Sequence, residues 1–466
     1  VDLGRRRRLG ARRARGAGLG VLAVADVDLT IVREVMPYVG LLLVVVLARA
    51  LRHAPANLLV LMLTAFVDMA GLFLIIPLLP FYVKLFHSNG ETLFGMEIGV
   101  GFLTGLVVTS FTVAQLLTAP IWGRFSDRYG RRAAVAVALS ASTVAYLLFG
   151  FADSLWMLLL SRVVQGAGGG LVGVIQAYVA DSVEPAQRAR ALGWLSASTN
   201  LGVALGPFLG SCALELKDVD LWPGDAVLVL GSAVPGVLAA GLCVVNAVFA
   251  LRYLKETAAR QPKDRKTAPI LTAVRQVLAQ PRRPASRVIL VYALAIGTAH
   301  AINPLMALFL DDRMGVDDQS IGYVFMYIGS ISVFARVLLL GRAVDRFGEV
   351  RVSRMGACSL AAFFLLMPFV HSLGSLALVL ALQPIGMALT FPSLAALLSR
   401  LVPQSDRGMF MGIQQSFAGL VRVLAPLLYG NVFDLFSVSA PFWIAGGVVL
   451  TTLSLSAGLR RAPADG

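Results

Sequence analysis

The chain alternates long apolar runs with short polar breaks. Twelve runs are long enough to cross a hydrocarbon core of about 30 Å as helices. They are residues 57–83, 98–121, 133–151, 155–180, 189–212, 226–251, 287–310, 319–340, 352–370, 375–399, 408–431 and 437–458. Most lack the polar face at helical period that a helix in a water-soluble core carries. One polar break occurs twice, as Gly123-Arg124-Phe125-Ser126-Asp127-Arg128-Tyr129-Gly130-Arg131-Arg132 and as Gly341-Arg342-Ala343-Val344-Asp345-Arg346-Phe347-Gly348. Each reads as a charged turn between two spans. The offset between the two copies also relates Gln165 to Gln383, Gly168 to Gly386 and Pro185 to Pro403. With one residue gained, Arg188 corresponds to Arg407, Gly193 to Gly412 and Pro207 to Pro426. A repeat of this length in an apolar chain predicts an all-α membrane transporter of two similar halves. The expected division is a six-helix bundle at 57–253, a linker at 254–285, a second bundle at 286–458, a tail at 459–466 and an extension at 1–56.

Composition supports the membrane reading. Hydrophobic residues make up 58% of the chain and charged residues 14%, against roughly 25% charged in a soluble domain. Mean hydropathy is +0.79. The net charge of +14 would fit nucleic acid, but its distribution does not. The basic residues fill alternate loops: Arg124 to Arg132, Arg188, Arg190, a run from Arg252 to Arg287, and Arg342 to Arg354. The other loops hold only Lys84, Lys217 and Arg313 as cations, with Glu91, Asp153, Glu215, Asp218, Asp220, Asp311, Asp312, Asp317 and Asp318. By the positive-inside pattern the basic loops, and both ends of the twelve-helix unit, are cytoplasmic.

Several chemistries find no support. The histidines and the three cysteines, Cys212, Cys243 and Cys358, show no metal-ligand or disulfide pattern. No phosphate-binding loop of the Gly-x4-Gly-Lys-Ser/Thr type is present, so no ATP motor is expected. The glycine run from Gly166 to Gly170 reads as a close-packing stretch within a helix. No nucleophile–base set, cofactor motif or metal site suggests an enzyme. Residues 1–34 read as disordered, and the apolar run Val35–Ala48 is short for a span. That run fits an interfacial helix, a secretory signal, or a segment upstream of the true start. The linker Leu254–Pro284 is polar and basic, suited to anionic lipid headgroups, with a surface helix expected over Thr267–Ala279.

Four motifs carry candidate chemistry. The first is Gly123 to Arg132 with its weaker copy, in which Glu349 and Val350 replace Arg131 and Arg132. The second is Arg162-Val163-Val164-Gln165-Gly166-Ala167-Gly168 in helix 4; an arginine inside a span costs about 2.5–3.5 kcal/mol or more unless it meets a cavity, a partner or the interface. The third is Gly202-Val203-Ala204-Leu205-Gly206-Pro207-Phe208-Leu209-Gly210-Ser211 in helix 5, a small-residue ridge bent at Pro207. The fourth is Asp68-Met69-Ala70-Gly71 followed by Pro77-Leu78-Leu79-Pro80 in helix 1. Asp68 is the only acid deep in a span, about 16 Å from the inner end. Arg162 lies at a similar level, and the two are expected to share a cavity between helices 1 and 4. Opposed effects of burial and a nearby arginine suit a carboxylate that loads and releases a proton; a static buried ion pair is the alternative.

Over about residues 57–458 these motifs resemble the major facilitator superfamily, and within it the twelve-helix drug/proton antiporters that include tetracycline exporters. The resemblance implies that Gly123, Asp127, Arg128, Gly130, Arg131 and Arg132, with Asp345 and Arg346, form a cytoplasmic latch between the halves in the outward-open state. It implies that Arg162 takes part in proton transfer with Asp68. It implies that Gly202, Gly206, Pro207 and Gly210 form the antiporter helix motif, in which Ser211 departs from the usual glycine. Helices 1, 4, 7 and 10 would line the path. That favours Gln115, Gln165, His300, Asn303, Gln383 and Arg422 as cavity residues, with Phe73, Tyr178, Tyr292 and Phe391 as aromatic walls. The implied function is proton-coupled efflux of small lipophilic compounds by a monomer in the bacterial inner membrane, its partners being substrate, protons and lipid. Metabolite symport or uniport on the same fold is the alternative, and a non-transporting receptor is the rival from another class.

Overall fold

A computed structural model of the chain describes residues 30–51, 56–216, 233–254 and 277–456, except positions 94, 96, 170, 184 and 405, together with 256 and 275. The outer-loop residues Lys217, Asp218 and Asp220, most of the linker with its expected helix, and the tail lie outside the described residues. Helix α1 (Thr30–Leu51) precedes the expected spans. The first span is two pieces, α2 (Ala56–Ile75) and α3 (Leu79–Ser88), because Pro77 and Pro80 remove backbone donors at the joint. The first half continues with α4 (Val100–Tyr129), α5 (Arg131–Gly150), α6 (Leu155–Gly168), α7 (Leu171–Ser182), α8 (Pro185–Glu215) and α9 (Val234–Tyr253). The second half holds α10 (Pro284–Met314), α11 (Ile321–Phe334), a π-helical stretch Ala335–Leu340, α12 (Gly341–Phe347), α13 (Glu349–Leu366), α14 (Leu373–Leu401), α15 (Arg407–Leu435) and α16 (Ala440–Ser456).

Among the described residues, ten helical stretches are long and apolar enough to cross a membrane. Helices α8 and α16 complete the expected twelve. Helix α8 carries polar residues in its first turns, and α16 is only 17 residues long.

Two expectations need correction. The charged motif is not a turn throughout: α4 runs on to Tyr129, and the chain turns only at Gly130. Nothing from Gly123 to Tyr129 breaks a helix, and its charges sit past the apolar stretch. The glycine run in helix 4 does not stay helical either, since α6 ends at Gly168 and α7 starts at Leu171. Gly166 and Gly168 still allow close approach, the first against the Phe111 carbonyl and the second 2.8 Å from the Ala141 methyl by an added Cβ.

The repeat is written into the backbone. Gly130 has φ 94° and ψ 160°, and Gly348 has φ 78° and ψ 159°, a region open to glycine without strain. Ser154 and Ser372, related by the same offset as these glycines, each cap the helix that follows by accepting a backbone N–H, from Met157 and Ser375.

The ridge of α8 packs on α2. A Cβ at Gly202 would lie 2.5 Å from the Phe66 carbonyl oxygen, and one at Gly206 would lie 2.5 Å from that of Ala70. Both obstacles are backbone and cannot swing away. Gly206→Ala is therefore expected to destabilise the fold by about 1–3 kcal/mol, read as a lower unfolding midpoint in detergent. An unchanged midpoint would show that α2 and α8 are not held this closely.

Helix α1 is packed rather than separate. Met36 and Leu43 sit in one apolar cluster with Leu201 and Leu205 of α8 and Tyr323 and Met326 of α11. Arg33 pairs with Glu215 at 2.7 Å. The helix thus covers a seam between the two halves.

Candidate functional site

The two halves meet at the end that carries the acidic loops. Between α4 and α15, a Cβ on Gly101 would lie 2.6 Å from the Gly430 carbonyl oxygen, and Gly105 lies against that of Pro426. Thr109 donates to the Val423 carbonyl at 2.9 Å. Asp434 of α15 accepts the first free N–H groups of α4, from Gly101 at 2.8 Å and Phe102 at 2.7 Å. A carboxylate there meets both unpaired donors and the positive end of the helix. Between α8 and α11, Ser211 accepts from Gly322 N–H at 3.0 Å, and Tyr323 donates to Glu215 at 3.0 Å. Lys84 pairs with Asp311 across the same end. Asp434→Ala would leave two helix-end donors unmet, at about 1–2 kcal/mol, only while this end is closed. The variant is expected to open it, lengthening the spin-label distance between Ser88 and Asp312 in a double-resonance measurement. An unchanged distance distribution would refute the cap as a gate.

At the basic end the halves stand apart. A cavity of about 510 Å³ runs from Thr112 and Gln115 down to Trp122, Gly123, Asp127 and Arg131, with Gln415, Gly419 and Arg422 on the facing half. An added Cβ at Gly123, Gly193, Gly341 or Gly412 would meet nothing within 4 Å. Among the expected latch residues, Asp127 pairs with Arg131 at 2.8 Å, and Arg131 also donates to Ser126 at 2.7 Å. Arg132 binds the Leu251 carbonyl and, through its N–H, Glu256 at 3.3 Å. Gly130 makes room for the Glu256 carboxylate. These bonds tie α4 and α5 to the end of α9 within one half. Arg128 and Arg346 lie over the rings of Tyr129 and Phe347 at 5.4 and 5.6 Å, and Asp345 is exposed.

Deeper lies a second cavity of about 250 Å³, which shares Thr112, Gln115 and Arg422 with the first. Its wall includes Phe73, Phe111, Arg162, His300 and Asn303. Arg162 is 2% exposed, lies 5.4 Å over the Phe111 ring, and has no hydrogen-bond partner for Nε and Nη1. Gln115 donates to the Gly169 carbonyl at 3.1 Å, where α6 stops.

Not every expected cavity residue reaches the wall. Gln383 is buried behind Asn303, to which it donates at 2.5 Å. Gln165 is buried against Tyr146. Of the four expected aromatic residues only Phe73 lines the cavity. Tyr292 and Phe391 pack edge-to-face at 5.4 Å in the second half's core, and Tyr178 is buried in the first.

The two cavities do not bring Asp68 and Arg162 onto one wall. Asp68 is half-buried, off the walls of both cavities, and neither it nor Arg162 makes an ion pair among the described residues. Tyr146 of α5 lies buried in the neighbourhood of both. Its hydroxyl packs over Gly71, 2.8 Å from where a Cβ would stand. Equal depth along two helices fixes height, not the face on which a side chain leaves.

The sequence pattern of the Major Facilitator Superfamily matches residues 61–339 and 288–465. The chain belongs to the Major Facilitator Superfamily. Multidrug resistance protein 2 of Bacillus subtilis (strain 168) is 25% identical over 403 residues, covering 85% of this chain and 93% of that protein. The class B tetracycline resistance protein of Escherichia coli is 24% identical over 376 residues, covering 81% and 87%. The crystal structure of the human organic anion transporter MFSD10 (TETRAN) aligns with a TM-score of 0.62 at 23% identity, over 86% of this chain and 100% of that one. That likeness shows the shared fold.

Four residues of this facilitator escape a reading of the sequence. Tyr146 and Phe111 look like ordinary apolar-span aromatics, and only packing reveals their places beside Asp68 and Arg162. Asp434 looks like a loop acid, yet it caps a helix in the opposite half of the chain. Arg336 looks like a flanking residue, and its charge inside the run 319–340 is the one signal that could have found it. It binds Asn200 across the two halves, from the π-helical stretch that shifts the face of the helix below it.

Proposed function

We propose that this facilitator exports small lipophilic compounds from the cytoplasm in exchange for protons, by rocking its halves about the central cavity. The observation that carries the reading is the kinship with drug-efflux proteins over most of the chain, joined to a mid-membrane cavity reached from one end. The basic end is cytoplasmic in this reading, so the conformation is inward-facing, and the protein sits in a bacterial inner membrane as a monomer. Asp68 is the proton carrier. Tyr146 passes its charge state to Arg162, and so to whatever occupies the cavity. The Gly123–Arg132 motif, tied here to α9, meets the other half only when the basic end closes. The ridge of α8 favours antiport over symport.

Direction of transport tests this. Everted membrane vesicles, energised to an acid interior, should accumulate substrates from a panel of lipophilic drugs, whereas right-side-out vesicles should expel them. Accumulation in right-side-out vesicles driven by inward proton flow would establish uptake instead.

A further inference from the structure

We infer that the central cavity takes organic anions: compounds with a carboxylate or similar acidic group on an apolar, ring-sized body. The inference rests on this cavity being the substrate site of the proposed exporter, and it adds the charge of the cargo.

The charge balance of the wall carries it. Arg162 and Arg422 both reach the 250 Å³ cavity, and no aspartate or glutamate lines it. No ion pair involves either arginine among the described residues. Arg162 is nearly sealed, with Nε and Nη1 unpartnered. Arg422 uses Nε on the Ala418 carbonyl at 3.2 Å in its own helix. His300 stands on the same wall with Nε2 buried and unpartnered. Asp68, the one deep acid, is off this wall and makes no ion pair with Arg162. A guanidinium held in apolar surroundings without a carboxylate is costly, and a bound anion removes that cost through charge-assisted hydrogen bonds. A cation entering the same space would meet two like charges.

The rest of the wall sets the body of the ligand. Leu72, Phe73, Ile76, Leu79, Val108 and Phe111 are apolar and line the same cavity. Phe111 already holds Arg162 over its ring. A flat aromatic body would stack in that space while its acid group pairs with the arginines. Inorganic anions would satisfy the charge and leave the apolar wall unfilled.

The test is equilibrium binding to the purified full chain in detergent, in chloride-free buffer at neutral pH. Three probes share one ring: 2-naphthoate, 2-naphthamide and 2-naphthylmethylammonium. The naphthoate is expected to bind at least about tenfold more tightly than the amide, with the ammonium weakest. Arg162→Gln should bring the naphthoate-to-amide ratio within about twofold, and Arg422→Gln should reduce it, the amide serving in each case as an internal check of the fold. A naphthoate no tighter than the amide, an ammonium that binds best, or no binding of any probe to cooperatively folded protein would overturn the inference. Chloride displacing naphthoate at equal concentration would also overturn it, by showing a site for inorganic anions. Binding needs no gradient, so its outcome is independent of the vesicle assay. Anion preference without coupled transport would sink the exporter reading alone, and coupled transport of cations would sink this one alone.

Discussion

Asp68→Asn is expected to abolish drug accumulation driven by a pH gradient in everted vesicles, while leaving exchange of labelled for unlabelled drug across the membrane. Asp68 is the only acid deep within a span, and it makes no ion pair among the described residues. It is therefore free to change charge without breaking a structural bridge. Asparagine keeps its shape and removes the titration, so the rocking motion should survive and its link to protons should not. Tyr146→Phe removes the hydroxyl that packs over Gly71, about one turn along α2 from Asp68. It is expected to keep transport but weaken its dependence on the pH gradient. If Asp68→Asn still accumulated drug at the wild-type rate under that gradient, the proton would have to travel by another group.

Gly123→Leu is expected to trap the protein with its basic end open. The interval from Gly105 to Gly123 on α4 equals that from Gly412 to Gly430 on α15. In each helix it amounts to about five whole turns. All four glycines thus lie on the faces that α4 and α15 turn to each other. At the acidic end that face is in backbone contact; at the basic end Gly123 and Gly412 have nothing within 4 Å. Closing the basic end brings these two faces together as their partners already are at the other end. A leucine at 123 fits the present conformation, so the unfolding midpoint should not fall. It would cost about 1–3 kcal/mol of overpacking in the closed one, a loss of roughly 5- to 150-fold in that population and in transport. Normal turnover by Gly123→Leu would mean that these faces never meet.

Much of the architecture was legible in the sequence because it depends on quantities a sequence carries directly. Span length and the spacing of Gly130 and Gly348 need no knowledge of distant neighbours. The ridge of Gly202, Gly206 and Gly210 was also readable, since small residues one turn apart demand a close partner, which proved to be α2. The site was legible only in part. Arg162, Gln115, His300, Asn303 and Arg422 reach the cavity, as polar groups in apolar spans must find an enclosed polar space. Asp68 and Arg162 were placed together by depth alone, and of the two only Arg162 lines the cavity. Asp434 and Arg336 act through partners in the opposite half, which no local pattern encodes. The break in helix 4 falls on consecutive glycines, the poorest helix formers after proline.

Exchange of drug for protons is the central step of the proposed cycle. The most direct measurement is lumenal pH in everted vesicles that have been energised to an acid interior and then given a transported compound. With wild-type protein the compound should trigger release of protons from the lumen, and with Asp68→Asn it should not. A compound that accumulates without moving lumenal pH, or that moves it equally in the variant, would contradict that exchange.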